Sequence, residues 1–196
     1  MDERLLKADA VVFDVGNVLL TFEVEKVAAL LPEGARDKLI PVLFGDRHLW
    51  GKFDLGMPDN EAIAREAARE AGLDDRWQLP LSLLDRFPDT MTPLPLYGLI
   101  PHLQALGKRL FALTNYPEPS FSLTCDRFPH LKSLDGALVS AREKLKKPDA
   151  AFFRLLINRY GIIPERTLFI DDLLPNVQTA RELGFQAWHY AGSDRL

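Results

Sequence analysis

Four short apolar runs, each ending on a polar or acidic residue, constrain this chain more than any other feature. Ala10 to Phe13 ends at Asp14, and Leu110 to Leu113 ends at Thr114 and Asn115. Ala137 to Val139 ends at Ser140, and Leu168 to Ile170 ends at Asp171 and Asp172. None alternates with polar residues, which is the pattern of strands covered on both faces. A weaker fifth run spans Gln186 to Tyr190.

Helical patterns lie between the runs. One opens at Pro148 and closes before Gly161, with Phe152, Leu155, Leu156 and Tyr160 on one face. A second covers Pro175 to Leu183. A third covers Leu96 to Leu106, where Pro101 predicts a kink or a late start. Strands alternating with helices predict an α/β fold, a Rossmann-like parallel sheet built from right-handed crossovers. Residues 18–91 carry no strong strand run. Helices are expected there at Val24 to Leu31, Ala35 to Phe44, Glu61 to Ala71 (capped by Asn60) and Trp77 to Leu84. The expected organisation is a core of residues 1–17 and 92–196, interrupted by a helical insertion over residues 18–91 that forms a small cap.

Composition narrows the function classes. The formal net charge is -4, so a nucleic-acid surface is not expected. Met1 to Ala8 has no apolar stretch of signal-peptide length, and no run approaches the roughly 20 residues of a membrane helix. Cys125, the single cysteine, cannot form an internal disulfide and reads as a small apolar helix residue. The expectation is a cytoplasmic protein with no membrane partner.

In an open parallel sheet, ligands bind at the carboxyl ends of the strands. The runs place Asp14, Thr114, Asn115, Asp171 and Asp172 on that rim. Consecutive aspartates after a buried strand call for a compensating positive charge. Oxygen ligands without a His or Cys cluster favour magnesium over zinc. Each residue also has a plain structural reading: an aspartate at a strand end often caps a helix, and Lys144 to Lys147 could be a solvated surface run.

Four segments in order go further. "FDVGNVLL", "LFALTNYP", "KKPDAAFF" and "TLFIDDLLPNV" resemble the four motifs of the haloacid dehalogenase superfamily of hydrolases, over roughly residues 9–17 and 92–190. The insertion resembles that superfamily's small cap domain. The resemblance implies a phosphoric monoester hydrolase acting on a small phosphorylated metabolite, with sugar phosphates as the first expectation. Asp14 is implied as the nucleophile that forms an aspartyl-phosphate. Magnesium is implied between Asp14, the Gly16 carbonyl and Asp172, with Asp171 as a further acidic ligand or one acting through water. Thr114 and the Asn115 backbone are implied in phosphate binding, Lys147 in charge stabilisation, and Asn176 in holding the fourth-motif loop.

One position departs from the pattern. Many phosphatases of the superfamily carry a second aspartate two residues after the nucleophile, as acid and base. Here it is Gly16, and this Gly-Asn-Val variant of the motif resembles one seen in a subgroup of sugar-phosphate phosphatases near the epoxide-hydrolase-associated branch. His48, Lys52 and Asp54 in the insertion are candidates for the missing acid. Trp50, Lys52 and Phe53 are candidates for facing the substrate. Two alternatives stay open: a metal-independent dehalogenase, whose leaving halide needs no proton, and a non-catalytic ligand- or partner-binding protein.

Overall fold

The structure is a computed structural model and describes residues 2–45 and 48–190. In chain order the elements are α1 (Glu3–Lys7), β1 (Ala10–Phe13), α2 (Val24–Ala28), α3 (Glu33–Phe44), α4 (Trp50–Leu55), α5 (Asn60–Glu70), α6 (Gln78–Arg86) and α7 (Pro95–Ala105). They continue with β2 (Arg109–Thr114), α8 (Ser120–Arg127), β3 (Gly136–Val139), α9 (Ser140–Glu143), α10 (Ala150–Tyr160), β4 (Thr167–Asp171), α11 (Leu174–Glu182) and β5 (Gln186–His189). No helix among the described residues is long and apolar enough to cross a membrane.

The five strands form one parallel sheet in the order β3-β2-β1-β4-β5. The apolar runs are unbroken because both faces of the sheet are covered. Val11, Phe13, Leu110, Ala112, Leu168 and Ile170 join one buried cluster, with Ile100 and Leu103 of α7. Their neighbours Ala10, Val12, Phe111, Leu113 and Phe169 join the opposite one, with Phe152, Phe153 and Leu156 of α10. Alternate residues thus serve opposite cores, and polar alternation has no place. Phe13 lies opposite both Ala112 and Ile170, so the polar residues that follow emerge on one rim. The chain runs outward from β1 to β3, then resumes on the other side of β1 at β4. The crevice at that reversal is where an open α/β sheet binds ligands.

Several local expectations are corrected. Asp59, not Asn60, caps α5, its side chain accepting from Ala62 N at 2.8 Å. Asn60 Nδ2 instead donates to Glu118 O at 2.6 Å, across to the core. The Asp59→Ala variant is expected to lose about 1 kcal/mol of stability, measurable by urea denaturation. α10 begins at Ala150, two residues after Pro148, and is capped by Asp149. α7 runs through Pro101 to Ala105 without a late start. Its buried stripe of Leu96, Ile100 and Leu103 outweighs the hydrogen bond a proline removes. Short α4 and α8 had no clear periodic signal.

Among the described residues, 18–91 add no strand to the sheet. Their apolar side chains, including Leu39, Phe53, Ile63 and Phe87, belong to the same cluster as Phe13 and Ile170. An aromatic group bridges the two parts: Phe44 and Trp50 rings lie 4.8 Å apart, Trp50 and Phe87 5.4 Å, and Phe87 and Tyr116 5.5 Å. Polar ties accompany it. Ser120 Oγ donates to Leu84 O at 2.6 Å, and Lys144 Nζ donates to Gly56 O at 2.9 Å. The helical insertion is therefore docked on the strand ends by both packing and hydrogen bonds.

Candidate active site

Three of the strand-end aspartates converge. Asp14, Asp171 and Asp172 each bring one carboxylate oxygen within 4.8 Å of the others. Lys147, from the loop before α10, is inserted among them: its Nζ lies 2.9 Å from Asp14 Oδ2 and 2.7 Å from Asp171 Oδ2. Lys147 is buried, at 2 % exposure, so the surface reading of the lysine run does not hold for it. Burial pulls its amine down, but Asp14 and Asp171 overcome this and raise it, keeping it charged.

The carboxylates are held differently. Asp14 Oδ1 accepts from Val15 N at 2.7 Å. Asp171 Oδ1 accepts from Leu173 N at 2.9 Å and Asn176 Nδ2 at 2.8 Å, so both of its oxygens are engaged and the loop after β4 is fixed. Asp172 Oδ2 accepts from Asn17 Nδ2 at 3.2 Å. Burial pushes Asp14 up to about 7, against Lys147 and reinforced by Asp171. Burial also raises Asp172, with Asp171 adding to it and Asn17 opposing it. Three carboxylates share one lysine and leave the group short of positive charge. An all-oxygen set this close suits a hard divalent cation.

Other residues shape the surroundings. Asn115 exchanges two hydrogen bonds with the Lys147 backbone, at 2.9 and 3.0 Å, and fixes the loop that carries the lysine. Thr114 Oγ1 is buried and has no hydrogen-bond partner. A buried hydroxyl at a strand end without a partner is costly unless a ligand supplies one. Gly16 has an ordinary backbone, and a Cβ there would meet only Phe22 Cβ at 3.8 Å. Neither space nor conformation requires glycine at that position.

A cavity of about 260 Å³ opens above the carboxylates. Asp14, Gly16, Asn17, Lys147 and Asp172 form its floor; Phe22, Trp50, Phe87, Tyr116, Pro117 and Leu173 supply apolar walls. Of the insertion residues singled out from sequence, Trp50 and Asp54 reach it. The others do not. His48 is exposed, Lys52 Nζ pairs with Glu66 at 2.6 Å, and Phe53 is wholly buried in the core. Cys125 lies outside the cavity, its thiol pushed up to about 11 by burial.

Three contributors escaped sequence reasoning. Asn17 holds a left-handed backbone (φ 56°), tolerated by asparagine, and links Asp172 to Phe22 N. His189 Nε2 lies 2.8 Å from Asp172 O. Ser140 Oγ accepts from Tyr116 N at 2.9 Å and donates to Asp54 O at 2.5 Å. Ser140 ends the third apolar run, a signal that was available; the other two have no periodic signature.

A parallel five-stranded sheet with clustered carboxylates and a buried lysine at its switch point defines an α/β protein with an acidic ligand-binding centre. The sequence model of the haloacid dehalogenase-like hydrolases matches residues 8–184, and the chain belongs to this family of enzymes. The chain is 23% identical to the sesquiterpene phosphatase astK of Aspergillus oryzae, over 94% of this chain and 90% of that one. Its fold matches the HAD family enzyme BT-2542 of Bacteroides thetaiotaomicron, solved in complex with magnesium and inorganic phosphate, with a TM-score of 0.78, 18% identity and 96% of each chain covered. It also matches L-2-haloacid dehalogenase from Xanthobacter autotrophicus, with a TM-score of 0.63 and 21% identity, over 92% of this chain and 76% of that one.

Proposed function

We propose that the protein hydrolyses a phosphoric monoester with magnesium, through an aspartyl-phosphate at Asp14. The observation that carries this reading is the charge balance of the floor, three close carboxylates against one buried lysine. Asp14, Asp172 and the Gly16 carbonyl would hold the cation. Asp171, whose oxygens are already engaged, would act through water. When bound, the cation would draw phosphate oxygens toward Asp14 and offset the repulsion between the two anions.

The chain's own groups then divide the work. Asp14 Oδ2 attacks phosphorus, because Val15 N and Lys147 leave that carboxylate oriented toward the cavity. Lys147 carries positive charge toward the transferring group. The partnerless Thr114 hydroxyl and the Asn115 backbone N–H would donate to phosphate oxygens. Asn176 fixes Asp171, and Asn115 fixes Lys147. Residues 18–91 act as the cap that excludes water and shapes the alcohol site.

The walls favour a different alcohol from the sugar expected from sequence. Six apolar or aromatic side chains line them, whereas a sugar's hydroxyls would need many polar partners. A compact apolar or aromatic alcohol fits better, which accords with the likeness to a sesquiterpene phosphatase.

The test is a panel of monoesters with magnesium and then with chelator. Turnover is expected to vanish with chelator and return with magnesium, with apolar or aromatic esters ahead of sugar phosphates in kcat/KM. Release of halide from a 2-haloacid without metal would select the dehalogenase instead. Saturable binding of inorganic phosphate without turnover of any ester would select a binding protein.

A further inference from the structure

Phosphoryl transfer at Asp14 leaves one task unassigned. The departing alcohol oxygen needs a proton, and Gly16 has none to give. The ionisable groups on the cavity wall are Asp14, Asp54, Tyr116, Lys147 and Asp172. Asp14 is needed unprotonated as nucleophile. Lys147 is bound to two carboxylates. Asp172 accepts from Asn17 and is one of the groups proposed to hold the cation. Tyr116 is held by burial above its ordinary value, and its Oη points into the core, 2.8 Å from Thr124 Oγ1 and 3.1 Å from Met91 Sδ. Asp54 alone is uncommitted: among the described residues, no hydrogen bond or ion pair occupies its carboxyl.

Resting on the phosphatase reading above, we propose that Asp54 is the proton donor to the leaving oxygen and the base that then activates water, replacing from the insertion the acid that position 16 lacks. The placement is built in. Asp54 lies on α4, whose end is fastened to the core by three hydrogen bonds. Ser140 Oγ donates to Asp54 O at 2.5 Å, and Lys144 Nζ donates to Leu55 O at 3.1 Å and Gly56 O at 2.9 Å. Ser140 Oγ also receives Tyr116 N, two residues beyond Thr114. One hydroxyl thus ties the loop after β2 to the backbone of Asp54. Lys146, Lys147 and Asp14 face the carboxyl from the core, and Lys52 on α4 is turned away toward Glu66. Burial raises Asp54 to about 7, against Lys146 and with Asp14 reinforcing. Near neutral pH it can both hold and release a proton.

The steps balance. Asp14 Oδ2 bonds to phosphorus and the ester P–O bond breaks. Its electron pair stays on the alcohol oxygen, which takes the Asp54 proton and leaves as the alcohol. The Asp54 carboxylate next takes a proton from water, whose oxygen bonds to phosphorus. The P–O bond to Asp14 breaks, giving back the Asp14 carboxylate, inorganic phosphate and protonated Asp54.

Leaving-group dependence tests this. In Asp54→Asn, kcat/KM for an aliphatic phosphate is expected to fall by about 10²–10⁴-fold. With p-nitrophenyl phosphate, whose leaving group departs without a proton, it should change less than about tenfold. That variant should also show a burst of p-nitrophenolate, because the phosphoenzyme forms but loses its base. The unaltered enzyme offers a second reading that needs no variant. Its kcat/KM for the aliphatic ester should fall as pH rises through about 7, the value to which burial raises Asp54, a limb absent with the nitrophenyl ester. Equal losses for both esters, or no such limb, would overturn the assignment of Asp54 alone. No magnesium-dependent turnover of either ester by the unaltered enzyme would overturn the phosphatase reading itself, and this assignment with it.

Discussion

The Asp14→Asn variant is expected to lose kcat by on the order of 10⁴-fold or more, while remaining folded and still binding magnesium and inorganic phosphate by calorimetry. An amide oxygen is too weak a nucleophile to form the phosphoenzyme, and nothing else on the cavity floor can replace it. The same variant should melt higher than the unaltered protein in metal-free buffer at pH 8. The sign follows from burial. Asp14 is raised from 3.8 to about 7, so the unfolded state ionises it first, and the folded state loses stability as pH rises between those values. Above that window the penalty is complete, and a neutral amide removes it. A variant that is inactive and also unfolded would count against the assigned role, because loss of turnover would then have a structural cause.

Lys147→Met should be the most destabilising single change in the site. The side chain is buried between two carboxylates, and its loss leaves both without their partner. Removing one member of a buried pair costs about 3–5 kcal/mol, which for a domain of this size lowers the melting temperature by about 10 °C. The lysine is charged in both states near neutrality, so the loss should be present throughout the neutral range. Magnesium should restore part of the stability, by replacing the missing positive charge between Asp14 and Asp172, but not the turnover. A melting curve insensitive to magnesium in this variant would argue against a cation at the carboxylates. These two substitutions act in opposite directions on stability because the floor is over-supplied with negative charge and under-supplied with positive.

Much of the fold was readable because it depends on short stretches of chain. Both faces of the sheet are covered, so each strand appears as an unbroken apolar run, and its end is marked by the first polar residue. Asp14, Thr114, Asp171 and Asp172 were therefore visible as rim residues before any motif was considered. Lys147 was not visible in that way. Nothing local distinguishes it from Lys144 and Lys146, and only the ordered motifs singled it out. Helix boundaries were less legible because capping is decided by single side chains: Asp59 rather than Asn60 turned inward to accept from α5.

The insertion marks the division between sequence and structure. Its helical character follows from composition and caps. Which of its side chains meets the cavity does not, because that depends on how α4 docks against residues far away in the chain. Of His48, Lys52 and Asp54, the sequence favoured His48, because an ordinary imidazole titrates nearest neutrality. Ser140 and Lys144 decide among them, fastening the end of α4 so that Asp54 and Trp50 face the floor, while Lys52 turns to Glu66 and His48 stays exposed. The sequence by itself determined the strand ends, and with them the acidic rim, since hydrophobic periodicity is a local property. Tertiary structure alone decided which carboxyl from the insertion stands over Asp14, because a docking contact between residues 86 apart, such as Ser140 and Asp54, leaves no periodic trace in either segment.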